Sequence, residues 1–474
     1  MEQLSKRIIA IVLIAVIGAG IGVGAYFLIE APAGAVWKLP GAPSGIPEEQ
    51  WIKIGLLGDI GELQGDANFQ GGYLAANDVN EAGGIVVGGT TYYIAVGKED
   101  TDESAAEFST SRAVTAAERM IYKHECDFGI GGFRTESVLA YREPFMENKI
   151  IFVGTGAATD RLCGTVATDY DYYKYWFRIS PTNSSELATD FGGQVLYFMI
   201  TLRALYGTDK VDKIGLLVED LVWTESWQEG FPRLFNIDYG GAFGTMPAAA
   251  QIAFDIALTA EQMDAHLQTL EDEGCDVVLI GLSGGAGILL TQQWKAQERP
   301  FMLIGSNVQG STTGYWDDTD GDCEYELGAL TGVNFCNKTP LTRQFMIDYY
   351  EMWNEDPLYM AFGAYSAVRH IANLIEDTQS FDHDTLIDEW ETYNITNPIV
   401  AVGGNTAWWP DTHDIAGYPF GYAVWYQWQD GTKILVPSFV PGKYPNTMIQ
   451  GYPTQTGIGT LEIPPWVLSV YEAP

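Results

Sequence analysis

"IKIGLLGDIGELQGDANFQGGYLAANDVNEAGG", residues 52–84, decides how the rest of the chain is read. It opens on an apolar run from Ile52 to Gly58, the pattern of a buried strand. Apolar residues then recur at helical spacing, and Gly83 and Gly84 stop the helix. A strand followed at once by a helix is the first unit of a parallel α/β sheet.

The alternation continues. "TYYIAVGKED" (91–100) reads as a strand, "AEFSTSRAVTAAERMIYKHE" (106–125) as a helix, "CDFGIGG" (126–132) and "KIIFVGT" (149–155) as further strands. It restarts with the strand "DKIGLLVED" (212–220), the helix "TAEQMDAHLQTLEDEG" (259–274), and the strands "CDVVLIGLSGG" (275–285) and "PFMLIGSN" (300–307). The two "CD-apolar-G" stretches look like one structural position used twice. Two similar lobes follow, with a connection near "FRISPTN" (177–183). Open parallel sheets bind ligands beyond the carboxyl ends of their strands, so two facing sheets make a cleft.

Bulk properties narrow the function. Of 474 residues, 62 are acidic and 25 basic, for a net charge of −37. That excludes nucleic acid, whose phosphates require clustered Lys and Arg. The start is a separate element. Lys6 and Arg7 precede Ile8–Ile29, an uncharged apolar stretch long enough to span a bilayer as a helix. Basic residues on its short side place the remainder outside. Its length favours a retained anchor over a cleaved signal peptide. Residues 31–50, rich in Pro, Gly and Ala, read as a linker. Three sequons, at Asn183, Asn337 and Asn394, agree with an exterior location. Cys323 and Cys336 flank a loop and suit a disulfide in an oxidising compartment, whereas Cys126 and Cys275 read as buried thiols.

The residues quoted for the first strand and helix, with "AFGAYSAVRHIANLIE" (361–376) and "YAVWYQWQDGTKILVP" (422–437), resemble the periplasmic leucine/isoleucine/valine-binding proteins, the type I solute-binding proteins of ABC importers. The similarity covers roughly residues 51–440. It implies an α/β fold of two Rossmann-like lobes joined by a three-strand hinge, after the N-terminal transmembrane helix. Lobe 1 is expected over 51–180 and 309–396, and lobe 2 over 181–308 and 397–474. The implied role is non-enzymatic capture of a small molecule by hinge closure, outside the cytoplasmic membrane, for a permease and its ATPase subunits. A ligand sensor on the same fold is the alternative.

The resemblance also implies site residues. Thr135 in "GGFRTES" (131–137) falls at a serine that holds a ligand carboxylate, and Ala157 and Thr159 in "VGTGAATD" (153–160) match the loop completing that grip. Arg134 departs from the family's small residue there; it either binds the ligand or pairs with an acid nearby. Trp223 falls at the ring covering the ligand. Ser283 stands where the family has tyrosine, and Asn183 and Asn307 replace acids. These departures lower the negative charge expected of the pocket, so a carboxylate-bearing or amide-like ligand is anticipated rather than leucine.

Other chemistry is not supported. "GTGAATD" lacks the Lys of a phosphate loop and the third Gly of a dinucleotide turn. No H-E-x-x-H or C-x-x-C spacing occurs. "DTHD" (411–414) reads as polar surface rather than a metal site. "WDDTDGDCEYE" (316–326) places Trp316 where a calcium loop needs its first oxygen ligand, and so reads as a solvated acidic loop. Neither metal nor cofactor is expected.

Overall fold

The computed structural model describes residues 36–105, 108–207, 211–235, 248–332, 336–436 and 459–472. The expected anchor over Ile8–Ile29 lies outside them. Among the described residues no helix is long and apolar enough to cross a membrane.

The first lobe is built from β1 (Trp51–Gly58), α1 (Leu63–Glu81), β2 (Ile85–Val87), β3 (Thr90–Asp100), α2 (Thr110–Glu118), β4 (Phe128–Gly131), α3 (Thr135–Glu147), β5 (Phe152–Gly154), α4 (Asp160–Thr168) and β6 (Trp176–Arg178). Its six strands run in the order β2-β3-β1-β4-β5-β6. After α5 (Ser184–Tyr206) the second lobe contributes β7 (Ile214–Glu219), α6 (Glu225–Arg233), β8 (Ala248–Phe254), α7 (Ala260–Asp272), β9 (Val277–Leu282), α8 (Ala286–Ala296), β10 (Met302–Asn307) and β11 (Leu327–Leu330). The chain then forms α9 (Thr342–Trp353), α10 (Tyr359–Thr378) and α11 (His383–Trp390), the small ribbons β12 (Ile399–Ala401) with β13 (Gly404–Thr406) and β14 (Trp408–Trp409) with β15 (Asp414–Ile415), then β16 (Val424–Gln429), β17 (Thr432–Leu435) and α12 (Pro465–Glu472). The second sheet runs β17-β16-β11-β10-β9-β7-β8.

The expected parallel sheets are mixed at their edges. β2 pairs antiparallel with β3, and β16 pairs antiparallel with both β11 and β17. The cause is local. Gly88 and Gly89 both have positive φ, as do Asp430 and Gly431, and two such residues make the tight turn that folds a strand back on itself.

The lobe boundaries also shift. β11 extends the second sheet in parallel from β10, so residues 309–330 stay with the second lobe, and the return to the first lobe comes after Leu330. Conversely, β14 and β15, expected with lobe 2, sit on lobe 1, where Trp408 joins the core of the first sheet. α10 packs along α1, with Gly71 against the backbone of Ala361. The lobes are therefore joined by crossings at 179–183, after Leu330, and at 416–423.

"DTHD" is not polar surface. His413 is fully buried, and its ring nitrogens meet the Trp176 carbonyl at 3.0 Å and Glu391 Oε1 at 2.8 Å. Asp414 is buried against Arg178: Nε donates to Oδ1 at 2.7 Å and Nη2 to Oδ2 at 2.6 Å. The 316–326 loop likewise turns inward at Glu326, which accepts hydrogen bonds from Thr291, Asn307 and Tyr315. Cys323 and Cys336 lie buried in one apolar cluster beside Tyr315 and Tyr426.

Removing one member of a buried ion pair strands the other charge. We expect Asp414→Ala to lower unfolding free energy by about 3–5 kcal/mol in denaturant titration, and an exposed control, Asp411→Ala, to change it by about 0.5 kcal/mol or less.

Candidate functional site

The sheets present their carboxyl ends to a cleft between the lobes, as the alternation of strands and helices requires. The cleft has two compartments. The inner, of about 110 Å³, is walled by Phe133, Phe191, Trp223, Trp227 and Tyr359, with Gly156 and Ala158 at its edge. The outer, of about 320 Å³, is polar and includes Glu62, Gln64, Glu103, Arg134, Thr135 and Glu219. Phe133, Trp223 and Ser283 border both. Trp223 stands edge-on to Trp227, with ring centroids 5.3 Å apart.

Four of the eight expected residues line this cleft: Arg134, Thr135, Trp223 and Ser283. Thr135 opens α3, is 3% exposed, and its hydroxyl has no hydrogen-bond partner among the described residues. A helix start with an unpaired hydroxyl suits an anion. Arg134 has an acid beside it: its Nε lies 3.4 Å from Glu136 Oε2, and its guanidinium lies 3.7 Å over the Phe108 ring. Ser283 donates its N–H (2.9 Å) and hydroxyl to Glu219 Oε2.

The other four stand behind the wall. Ala157 and Thr159 turn their carbonyls to Arg178 Nη1, at 3.2 and 2.8 Å, so their neighbours Gly156 and Ala158 face the cleft instead. Asn183 caps α5 by accepting the Glu186 N–H at 2.8 Å, and donates to Asp414 Oδ2 at 3.1 Å. Asn307 points into lobe 2, where it donates to Tyr315 and Glu326, each at 2.8 Å; Ser306 and Val308 face the cleft.

The pocket is also more acidic than its departures from the family suggest. Glu62, Glu103, Glu136 and Glu219 border the outer compartment. Glu103 is fully buried, and burial pushes its carboxyl up to about 7. Burial likewise raises that of Glu219. In a chain with 62 acids neither carries a sequence signal of its own.

The lobes meet across the cleft. Gln64 Nε2 donates to the Ser283 carbonyl at 2.7 Å, and Arg161 pairs with Glu225. Lys433 Nζ lies 2.7 Å from Asp356 Oδ2, and the Asp356 N–H donates to Thr313 Oγ1 at 2.8 Å. Polar contacts thus bridge the two lobes at the edges of the cleft.

A family model for periplasmic binding proteins matches residues 52–424. No curated protein matches the chain. Among solved structures, a leucine-binding protein from Thermotoga maritima shares 15% identity at a TM-score of 0.63, covering 82% of this chain and 99% of that one. An ABC transporter solute-binding protein from R. palustris in complex with benzoate shares 15% identity at a TM-score of 0.61, covering 81% and 95%. A branched-chain amino acid transporter substrate-binding protein from Streptococcus pneumoniae in complex with isoleucine shares 17% identity at 0.60, covering 81% and 97%.

Since Gln64 is one of the side chains that bridge the lobes, Gln64→Ala should weaken the closed form selectively. A lost hydrogen bond of about 1 kcal/mol predicts a Kd raised about fivefold for any ligand of the cleft, with the ligand-free melting temperature unchanged.

Proposed function

The chain belongs to the periplasmic binding protein family, a family of solute binders rather than enzymes, and from that premise we propose a specific role. It is the exterior solute-binding component of an ABC importer of the branched-chain amino acid type, closing two lobes on a small carboxylate-bearing ligand. Ile8–Ile29 anchors it to the cytoplasmic membrane, and the closed form docks on a permease with its ATPase subunits.

The observation that carries the ligand class is the junction of the two compartments. Thr135, whose buried hydroxyl is unpaired among the described residues, opens α3 next to Arg134 and lines the compartment that Trp223 also borders. A carboxylate at Thr135 gains a charge-assisted hydrogen bond and the favourable end of the helix dipole. Its apolar body then fills the chamber of Phe133, Phe191, Trp223 and Trp227, where burial supplies most of the affinity. Relatives of this fold bound to isoleucine and to benzoate offer both aliphatic and aromatic bodies as probes.

Binding shifts the open–closed equilibrium only by the ligand's preference for the closed form. The residues that meet the ligand in the closed form therefore set the affinity, and Trp223, which borders both compartments, is the chief of them. Calorimetric titration with benzoate, leucine and isoleucine tests the reading. At least one should bind with a 1:1 ratio. Thr135→Val should cost about 1.5–3 kcal/mol of its binding, and Trp223→Ala about 2 kcal/mol or more. Binding that survives both substitutions unchanged places the ligand elsewhere. For the anchor, the full chain should stay with the membrane after a carbonate wash, and a chain starting at Trp37 should not.

A further inference from the structure

We propose that this cleft captures its carboxylate together with one proton, and that Glu103 holds the proton. The inference rests on the reading that the ligand's carboxylate lies at Thr135.

Glu103 follows β3 and is fully buried. Its Oε2 accepts the backbone N–H groups of Phe133 (3.1 Å) and Arg134, the two residues leading into α3. Its Oε1 accepts the Thr101 hydroxyl at 2.7 Å. The protein's own carboxyl therefore occupies the N–H groups at the helix start, on the wall of the cavity that Thr135 also faces. A ligand carboxylate at Thr135 arrives beside an anion site already filled. Two carboxylates on one cavity wall, away from water, oppose each other's ionisation; one proton shared between them is a general resolution.

The surrounding groups offer little other relief, although the Arg134 guanidinium lies 3.5 Å from the Glu103 carbonyl. Arg134, the one cationic side chain on this cavity among the described residues, is held by Glu136 and Phe108. Glu62 and Glu219 add negative charge across the cavity. Tyr141 and Tyr359 stay neutral, since burial raises both of their hydroxyls further. Burial has already brought Glu103 to about 7, so the proton is available near neutrality.

The step balances simply. The ligand enters ionised, one proton passes from solvent to Glu103, and the new O–H donates to a ligand oxygen. Below about pH 7 free Glu103 already carries that proton, so affinity is level. Above it the proton must be taken up on binding, and affinity falls as pH rises, by up to about tenfold per unit.

The test is calorimetry on the full chain with benzoate and with leucine, from about pH 5.5 to about pH 8.5, in buffers of different ionisation enthalpy. The expected result for benzoate is a Kd that is flat below pH 7 and then rises about tenfold per unit, with nearly one proton taken up per ligand at the alkaline end. Glu103→Gln, which keeps the shape of the protonated acid, should abolish the uptake and hold its affinity at high pH. Benzoate binding without proton uptake in the unmodified chain overturns this inference and leaves the carboxylate reading standing; that measurement decides even if the variant does not fold. An unchanged pH slope in Glu103→Gln overturns it too. If neither probe binds at any pH, the carboxylate reading falls, and this inference with it.

Discussion

Two charges buried side by side, Arg178 and Asp414, hold together the parts of the molecule that must cooperate. Arg178 ends the last strand of the first sheet, and Asp414 begins β15, the strand that precedes the third crossing between lobes. Their bidentate contact is the geometry in which a guanidinium and a carboxylate bind best. The remaining donor of Arg178 fixes the carbonyls of Ala157 and Thr159, and so the loop whose other face lines the cleft. Asp414 also receives Asn183, which caps the first helix beyond the hinge. One ion pair thus ties the cleft wall to the first and third crossings. The cost of burying it is met only because nearly every polar atom of the pair has a partner.

From that anchor the division of labour in the cleft follows. The first lobe supplies a helix start, with Arg134 and Thr135 on the wall of the outer compartment. The second lobe supplies the aromatic cover and, through Ser283, a carbonyl that Gln64 reaches from the other side. Closure buries apolar surface in the inner compartment and makes polar contacts at its edges. The two carboxyls retained in the outer compartment, Glu103 and Glu219, are fixed by backbone N–H groups of their own lobes. They are parts of the wall rather than solvated charge, and they set the electrostatic terms on which a ligand enters.

Much of the fold was legible in the sequence because it is local. Strand–helix alternation, the Gly stop at 83–84 and the two "CD-apolar-G" strands each lie within a short window. The mixed edges were not anticipated, although "VGGT" (87–90) and "QDGT" (429–432) carry paired turn residues that suit a hairpin. What sequence could not show depends on distance along the chain. Arg178 and Asp414 are 236 residues apart, so "DTHD" looks like a surface turn until its partner is known. β11 is only four residues long and takes its place from its neighbours β10 and β16. At the site, four of the residues expected to bind ligand, Arg134, Thr135, Trp223 and Ser283, lie on the cleft. Ala157, Thr159 and Asn307 miss by one position, since which of two adjacent residues faces a cavity is set by the backbone direction at the strand end. Glu103 has no local signature at all; only the fold carries it to the start of α3.

The central claim is that the two lobes close on one small molecule. The most direct measurement is the distance between spin labels on opposite lobes, at Ser111→Cys and Glu261→Cys, two exposed helical positions. It is taken with and without saturating amounts of a solute that calorimetry shows to bind. The account predicts a longer or broader distribution without ligand that collapses on binding to the single distance of the closed structure. A distribution that is the same in both samples, with the solute bound, would contradict it.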